Sequence, residues 1–171
     1  MGVHLLKSPL VTRIRQNHAL EHATMHVLGR SSPSLGMVGH SDWNGFSLYG
    51  TVDTQTLQRA VGEALARLLA NESHLAIHPR CGTNLTVVAL LTGGAAYVVG
   101  RDSSRSPLRR LVTAVAATMA ACLVARPLGL LLQRYVTTTG SLQGVHVETV
   151  RREVNGPLVV HRVSVRRDSE A

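Results

Sequence analysis

Two long apolar segments constrain this chain more than any other feature of its sequence. Residues 81–100 contain no charged side chain, and a second uncharged run at residues 111–125 resumes after Arg126-Pro127 as residues 128–132. A helix needs about 20 apolar residues to cross a bilayer, and the first run has that length. The second run has it only if Arg126 snorkels or faces protein. The sequence therefore predicts a membrane-inserted hairpin of two apolar helices.

The composition of both runs favours close helix packing. They are rich in Gly and Ala, and small side chains let membrane helices approach each other closely. A buried helical hairpin of a soluble protein is the alternative. The connecting residues 101–110 carry four Arg and one Asp, which the positive-inside tendency would place in the cytoplasm. We expect no secretory signal at the N-terminus, so the two indications conflict and the orientation stays open.

The segments on either side of the apolar hairpin alternate between helix and strand patterns. A helix is expected at residues 11–29, and a second helix should begin at Asp53 or Thr54. Four strands are expected at residues 37–41, 46–52, 145–153 and 158–166. A shorter strand is expected at residues 75–78. Turn sequences at Asn44-Gly45 and Asn155-Gly156 predict two β-hairpins that share one sheet.

These patterns predict an α+β fold, a small helix and hairpin domain with an inserted apolar two-helix hairpin. The expected parts are residues 1–84, which contain the candidate metal site, residues 85–133, which form the membrane hairpin, and residues 134–171, which complete the α+β domain.

Charge and aromatic content indicate which partner the surface favours. The net charge is +8, and aromatic residues make up only 3% of the chain. Readers of nucleic acid usually place stacking aromatics among basic residues. Trp43, Phe46 and Tyr49 instead cluster without any Arg or Lys between them. We therefore expect membrane lipid as a partner and no nucleic acid.

The stretch Asn17-His18-Ala19-Leu20-Glu21-His22-Ala23 carries the strongest chemical signal. Residues four apart share one face of a helix, so the imidazoles of His18 and His22 could bind one metal ion. The order His-x-x-Glu-His places Glu21 where it could act as a general base.

A third histidine, His26, continues the same spacing. Positions eight apart on a helix are separated by about 12 Å along its axis, too far to share one ion. Because His18 and His22 flank Glu21 and lie nearer the apolar stripe of the helix, they are the predicted ligands. His26 is assigned a supporting role around the site.

A catalytic zinc site needs a third protein ligand. His78 and Cys81, in the loop His78-Pro79-Arg80-Cys81-Gly82-Thr83-Asn84, are the best candidates, and the sequence does not decide between them. A strand-end histidine and a small buried cysteine are the plainer interpretations. Asn17 and Asn84 are expected to orient ligands by hydrogen bonds.

Together, the Asn17–Ala23 stretch and the His78–Asn84 loop resemble an uncharacterised domain family of small membrane-associated bacterial proteins, over roughly residues 11–96. The resemblance supports the choice of site residues, implies a location in a bacterial inner membrane, and implies no reaction. The His-x-x-Glu-His order alone is similar to the motif of inverted zinc peptidases. Those enzymes take a distant Glu as third ligand in a much larger fold.

The leading functional prediction is a membrane-associated zinc protein that hydrolyses an amide or ester bond in a peptide or lipid substrate. Glu21 would accept a proton from water, whose pKa zinc lowers to about 7. Two alternatives remain. One is a non-catalytic, metal-stabilised module that holds partner proteins, and the other is a tetrapyrrole or lipid binder. A homo-oligomer is compatible with each of them.

Overall fold

The computed structural model describes residues 6–31, 36–102, 106–155 and 158–168. The chain divides into two compact units. The first comprises Met1–His78 together with Arg134–Ala171, and the second is Pro79–Gln133. The predicted α+β class is confirmed, since helices accompany one antiparallel sheet and two of the helices are apolar.

The first helix, α1, covers Pro9–Ser31 and is buried on several sides at its centre. Ala19, Leu20 and Ala23 are completely buried, and Glu21 and His22 are nearly so. This all-round burial arises because α1 packs against the second helix, the sheet and a 3₁₀ turn. Its polar centre is therefore enclosed by protein, which a single apolar stripe does not predict.

Four strands form the sheet of the first unit, with β1 at Val38–Asp42, β2 at Gly45–Tyr49, β3 at Val145–Asn155 and β4 at Leu158–Arg167. The order is β1-β2-β4-β3, and all neighbours are antiparallel. Pairing of β2 with β4 joins the two hairpins, as predicted. Gly45 has a φ of 151°, and a side chain there would collide with the Val163 backbone. Of the second predicted turn, Gly156 lies outside the described residues.

The second helix, α2, runs over Thr54–Leu69 and begins as predicted. The Asp53 carboxylate caps it by accepting a hydrogen bond from the Thr56 amide at 2.8 Å. Its apolar face and that of α1 cover one side of the sheet. The core residues include Leu20, Leu28, Phe46, Leu48, Leu57, Val61, Leu68 and Val163.

The short strand predicted at residues 75–78 is wrong. Ser73–Ala76 form a 3₁₀ turn, in which the Leu75 amide donates to the Glu72 carbonyl at 3.0 Å. The Ile77 amide likewise donates to the His74 carbonyl at 3.2 Å. Because these two amides donate locally, they are not available to a neighbouring strand.

The second unit consists of two long helices, α3 at Gly82–Gly100 and α4 at Pro107–Leu132. Helix α4 continues through Pro127, where the apolar run is interrupted. Both helices are long and apolar enough to cross a membrane by length and composition. At one end of this unit Gln133 donates a hydrogen bond to Asn84 at 2.8 Å, and Asn84 donates to the Pro79 carbonyl at 2.8 Å.

Candidate metal centre

Four histidine rings lie in a row within the first unit. The rings of His18 and His22 are 4.3 Å apart between centroids, and His22 is 5.7 Å from His78. His78 is in turn 4.9 Å from His26. Three of these rings come from α1 and one follows the 3₁₀ turn, so the turn brings the start of the candidate loop against the helix.

His22 has the most unusual environment of the four. Its ring is buried, and Nδ1 lies 2.7 Å from the Ala76 carbonyl oxygen. A carbonyl only accepts, so Nδ1 carries the hydrogen and Nε2 carries the lone pair. Among the described residues, this Nε2 is buried without a hydrogen-bond partner. Burial, with the nearby His18, lowers the pKa of His22 to about 3, so the ring is neutral at physiological pH.

Backbone carbonyls also orient two other rings. His18 donates from Nδ1 to the Thr137 carbonyl at 3.0 Å, which leaves the lone pair on Nε2. His26 donates from Nε2 to the Ile77 carbonyl at 2.8 Å. Metal-binding histidines are usually held by such a hydrogen bond from the nitrogen that does not bind metal. His18 and His22 therefore share the same ligand-like arrangement.

The separation of these two residues suits a shared ion. One ring nitrogen of His18 and one of His22 lie within 4.8 Å of each other. Two nitrogens bound to one tetrahedral zinc ion are roughly 3.4 Å apart, given zinc–nitrogen bonds of about 2.0–2.1 Å. Zinc binds the lone pairs of neutral imidazole nitrogens. The Nε2 atoms of His22 and His18 both carry such a lone pair, and that of His22 is buried.

Glu21 faces the sheet rather than the row of rings. Its carboxylate accepts a hydrogen bond from the Ser41 hydroxyl of β1, and Gly39 leaves the room that this carboxylate occupies. Burial raises the pKa of Glu21, whereas the Ser41 hydrogen bond and the electrostatic influence of nearby His18 lower it in part. Glu21 is thus a buried carboxylate anchored to β1 and electrostatically linked to His18.

Asn17 also connects α1 to the sheet. Its amide nitrogen donates to the Asp42 carbonyl at 2.7 Å, and its oxygen accepts from Arg167 at 2.9 Å. Arg162 holds the Asp42 carboxylate at 2.7 Å and 2.8 Å. These contacts fix the rotation of α1 and, with it, the direction in which the histidines point.

Cys81 and Asn84, the other two predicted site residues, open the second unit. Cys81 is buried and caps α3, with its sulfur accepting from the Thr83 amide at 3.4 Å. It follows His78 by three residues, and an extended chain covers at most about 3.6 Å per residue. Chain connectivity therefore limits the distance between the Cα atoms of His78 and Cys81 to about 11 Å. The amide of Asn84 is engaged by Gln133 and Pro79.

Several groups that contact the histidine rings and Glu21 were not predicted from the sequence. The carbonyls of Ala76, Ile77 and Thr137 orient three histidines, but a backbone carbonyl leaves no signature in residue type. Ser41 and Gly39 could have been found, because residues two apart in a strand point to the same face. The alternation in β1 places both on the side that meets Glu21.

Comparison with known proteins gives this domain a family. A family model described as a domain of unknown function, DUF6391, matches residues 13–150. The chain belongs to the DUF6391 family. An uncharacterized protein from Picosynechococcus sp. is 41% identical over 138 residues, which cover 73% of this chain and 65% of that relative. The match therefore spans less than two thirds of the relative's length. No solved structure matches.

The matched DUF6391 region contains all eight predicted site residues, which are Asn17, His18, Glu21, His22, His26, His78, Cys81 and Asn84. Membership in an uncharacterised family confirms that part of the resemblance. The similarity to inverted zinc peptidases stays a prediction from the His18–His22 spacing.

Proposed function

We propose that this DUF6391 protein is a membrane-associated zinc-binding protein whose ligands are His18, His22 and Cys81. The buried Nε2 of His22 is the observation that carries the proposal. A polar atom without a partner in a protein interior costs free energy, commonly about 1–3 kcal/mol. A metal ion would satisfy this nitrogen, and the neutral ring that burial favours is the form that binds metal.

Cys81 is our choice for the third ligand. A thiolate with two imidazoles is a combination suited to zinc, and Cys81 follows three residues after His78, whose ring lies 5.7 Å from that of His22. The ring of His78 lies closer to His26 than to His22, which favours a supporting role for His78. Three protein ligands leave one zinc position for water or substrate.

Membrane association is supported by the exposure of the two apolar helices. In each of them only 11% of the most apolar window is buried. A core helix of a soluble protein would be mostly buried, and such large exposed apolar surfaces normally contact a membrane or a partner. Lipid is the environment that covers both helices over their whole length.

Metal analysis of the purified full-length protein tests the zinc proposal. After zinc loading and desalting, the wild type should retain about one zinc per chain, and H18A and C81S should retain much less. The matched controls are H40A and C122S, which alter an exposed histidine and the other cysteine. A wild type without zinc, or equal zinc in the site and control variants, would contradict the proposal. An absorption spectrum of the same samples would reveal a bound tetrapyrrole.

Hydrolysis is the finer part of the proposal. Glu21 is buried one residue before His22, and its raised pKa suits a general base. If its carboxylate turned from Ser41 towards the ligands, it could accept a proton from water during attack on an amide or ester carbonyl. Its anchoring to Ser41 favours instead a structural role in a non-catalytic module. If the protein is a hydrolase, E21Q should retain zinc and lose turnover of peptide and lipid-ester substrates. Wild-type protein that binds zinc but is inactive on both classes would favour the non-catalytic module.

A further inference from the structure

A cavity of about 360 Å³ lies beside the histidine row in the first unit. It opens between the 3₁₀ turn and the segment that follows α4, and its walls include Ser73, His74, Ile77, Arg134, Tyr135 and Thr138. Ligand pockets commonly have volumes of about 300–1,000 Å³. The cavity is therefore large enough for a phosphate group with part of the alcohol that it esterifies.

The charge of the lining favours an anion. Arg134 contributes a positive charge, and none of the described residues that line the cavity is Asp or Glu. Glu72, which precedes Ser73 in the chain, is held by Arg67 at 2.6 Å and 3.0 Å. Among the described residues, no carboxylate forms an ion pair with Arg134. Its guanidinium is thus available for two parallel hydrogen bonds to a phosphate.

The cavity wall is held in place before any ligand arrives. Arg15 donates to the Thr138 carbonyl at 2.8 Å and to the Tyr135 carbonyl at 3.3 Å. On the opposite wall, the Ala76 and Ile77 carbonyls accept from His22 and His26. Preorganised walls lower the entropy cost of binding.

The source of the phosphate follows from where the lining residues stand in the chain. Arg134 and Tyr135 come directly after Gln133, near the end of the candidate membrane span Pro107–Thr137. Arg and Tyr are typical of the membrane–water interface at the ends of spans. Tyr135 is 60% exposed, and the Arg134 guanidinium lies 5.5 Å from its ring centre. An aromatic ring beside a cation at this level suits a lipid headgroup.

We propose that this cavity binds the headgroup phosphate of an anionic phospholipid, with Arg134 as the phosphate ligand and Tyr135 against the glycerol region. The site is distinct from the zinc ligands. Its readout is lipid retention, so the lipid proposal can fail or succeed independently of zinc binding.

Lipid retention by the purified full-length protein tests the proposal. Protein in a neutral detergent is mixed with phosphatidylglycerol or phosphatidylcholine, and bound lipid is counted by native mass spectrometry. Both lipids present a phosphate to Arg134, but only phosphatidylcholine adds a cationic choline, which the guanidinium repels. The wild type should therefore favour phosphatidylglycerol by about tenfold. R134Q should abolish this preference, R134K should retain part of it, and the charge-matched control R151Q on exposed Arg151 should keep it.

Three outcomes would overturn the lipid site. Equal retention of the two lipids by the wild type would show no headgroup selection. Equal preference in R134Q and R151Q would mean that general surface charge attracts the lipid. If inorganic phosphate bound with the same dependence on Arg134 while the lipids were not distinguished, the ligand would be a soluble anion. Retained preference in R134K guards against an R134Q variant that merely misfolds.

Discussion

At the scale of single residues, the main feature is a histidine whose environment is incomplete in the protein alone. His22 is held by one backbone carbonyl, its ring contacts those of His18 and His78, and its other nitrogen has no hydrogen-bond partner in the part of the chain that the structure describes. Protonation would place a charge in a buried site among basic groups, which explains the lowered pKa. Folding of the metal-free protein therefore favours the neutral form of His22.

This requirement predicts a pH dependence of stability. The pKa of His22 falls from 6.5 in the unfolded chain to about 3 in the folded protein, so the unfolded state binds the proton first. Stability is then fully present above pH 6.5 and falls as the pH drops towards 3, by about 1.4 kcal/mol per pH unit from this residue. Urea unfolding in the presence of chelator at pH 7.5, 6.5 and 5.5 would measure it.

The matched variants for this measurement are H22Q and H40Q. Glutamine can still donate to the Ala76 carbonyl but has no proton to gain, so H22Q should show a flatter pH profile between 6.5 and 5.5. H40Q, at an exposed strand position, should keep the wild-type slope. An unchanged slope in H22Q would mean that other groups control the acid sensitivity.

At the scale of elements, helices α3 and α4 pack closely through small residues at one end and leave other small residues facing outward. A side chain at Gly129 would collide with Asn84, whose Cγ and Cα would lie 3.1 Å and 3.2 Å from the new Cβ. At Gly93 a new Cβ would meet nothing within 4 Å. Only the first glycine is thus required for the contact between the helices.

The two glycines predict opposite effects of the same substitution. G129A should separate the helices or disturb the Asn84–Gln133 hydrogen bond, and it should destabilise the protein by about 1–3 kcal/mol. G93A should be neutral or stabilising by up to about 1 kcal/mol, because alanine favours helix more than glycine does. Thermal unfolding in detergent compares them, and equal effects of both substitutions would argue against the close packing.

At the scale of the whole molecule, two units with different solvent requirements share one chain. The first unit buries its apolar residues in a core between two helices and a sheet. The second exposes most of its apolar side chains, including Leu90, Val98, Met119 and Leu123. Exposed apolar surfaces of this size normally contact a membrane or a partner.

An arginine introduced in the middle of α4 should have different effects in a membrane and in water. Met119 is 65% exposed, so M119R on a soluble protein would change stability by no more than about 0.5 kcal/mol. In a bilayer the same arginine would oppose insertion by about 2.5–3.5 kcal/mol. We expect M119R to reduce the fraction that resists carbonate extraction from membranes, whereas L10R on exposed Leu10 should not. Wild-type levels of soluble, folded M119R protein without detergent would contradict membrane insertion.

The sequence by itself determined the features that depend on local spacing. Period-two and helical patterns predicted the hairpins, the Asp53 cap and the apolar helices, because burial of one face imposes those periods directly. The four-residue spacing of His18 and His22 likewise put their rings together. The strand expected at residues 75–78 failed because short apolar segments can satisfy their backbone within a 3₁₀ turn as well as in a sheet.

Only the tertiary structure determined the directions in which the side chains of the candidate site point. Glu21 turns to Ser41 on β1, whereas His22 turns to the Ala76 carbonyl, and both partners lie far from α1 in sequence. The cavity at Arg134 likewise exists only because residues 134–140 return beside the 3₁₀ turn. A backbone carbonyl belongs to every residue type, so its role at a site depends on how the chain folds, and no residue pattern encodes it.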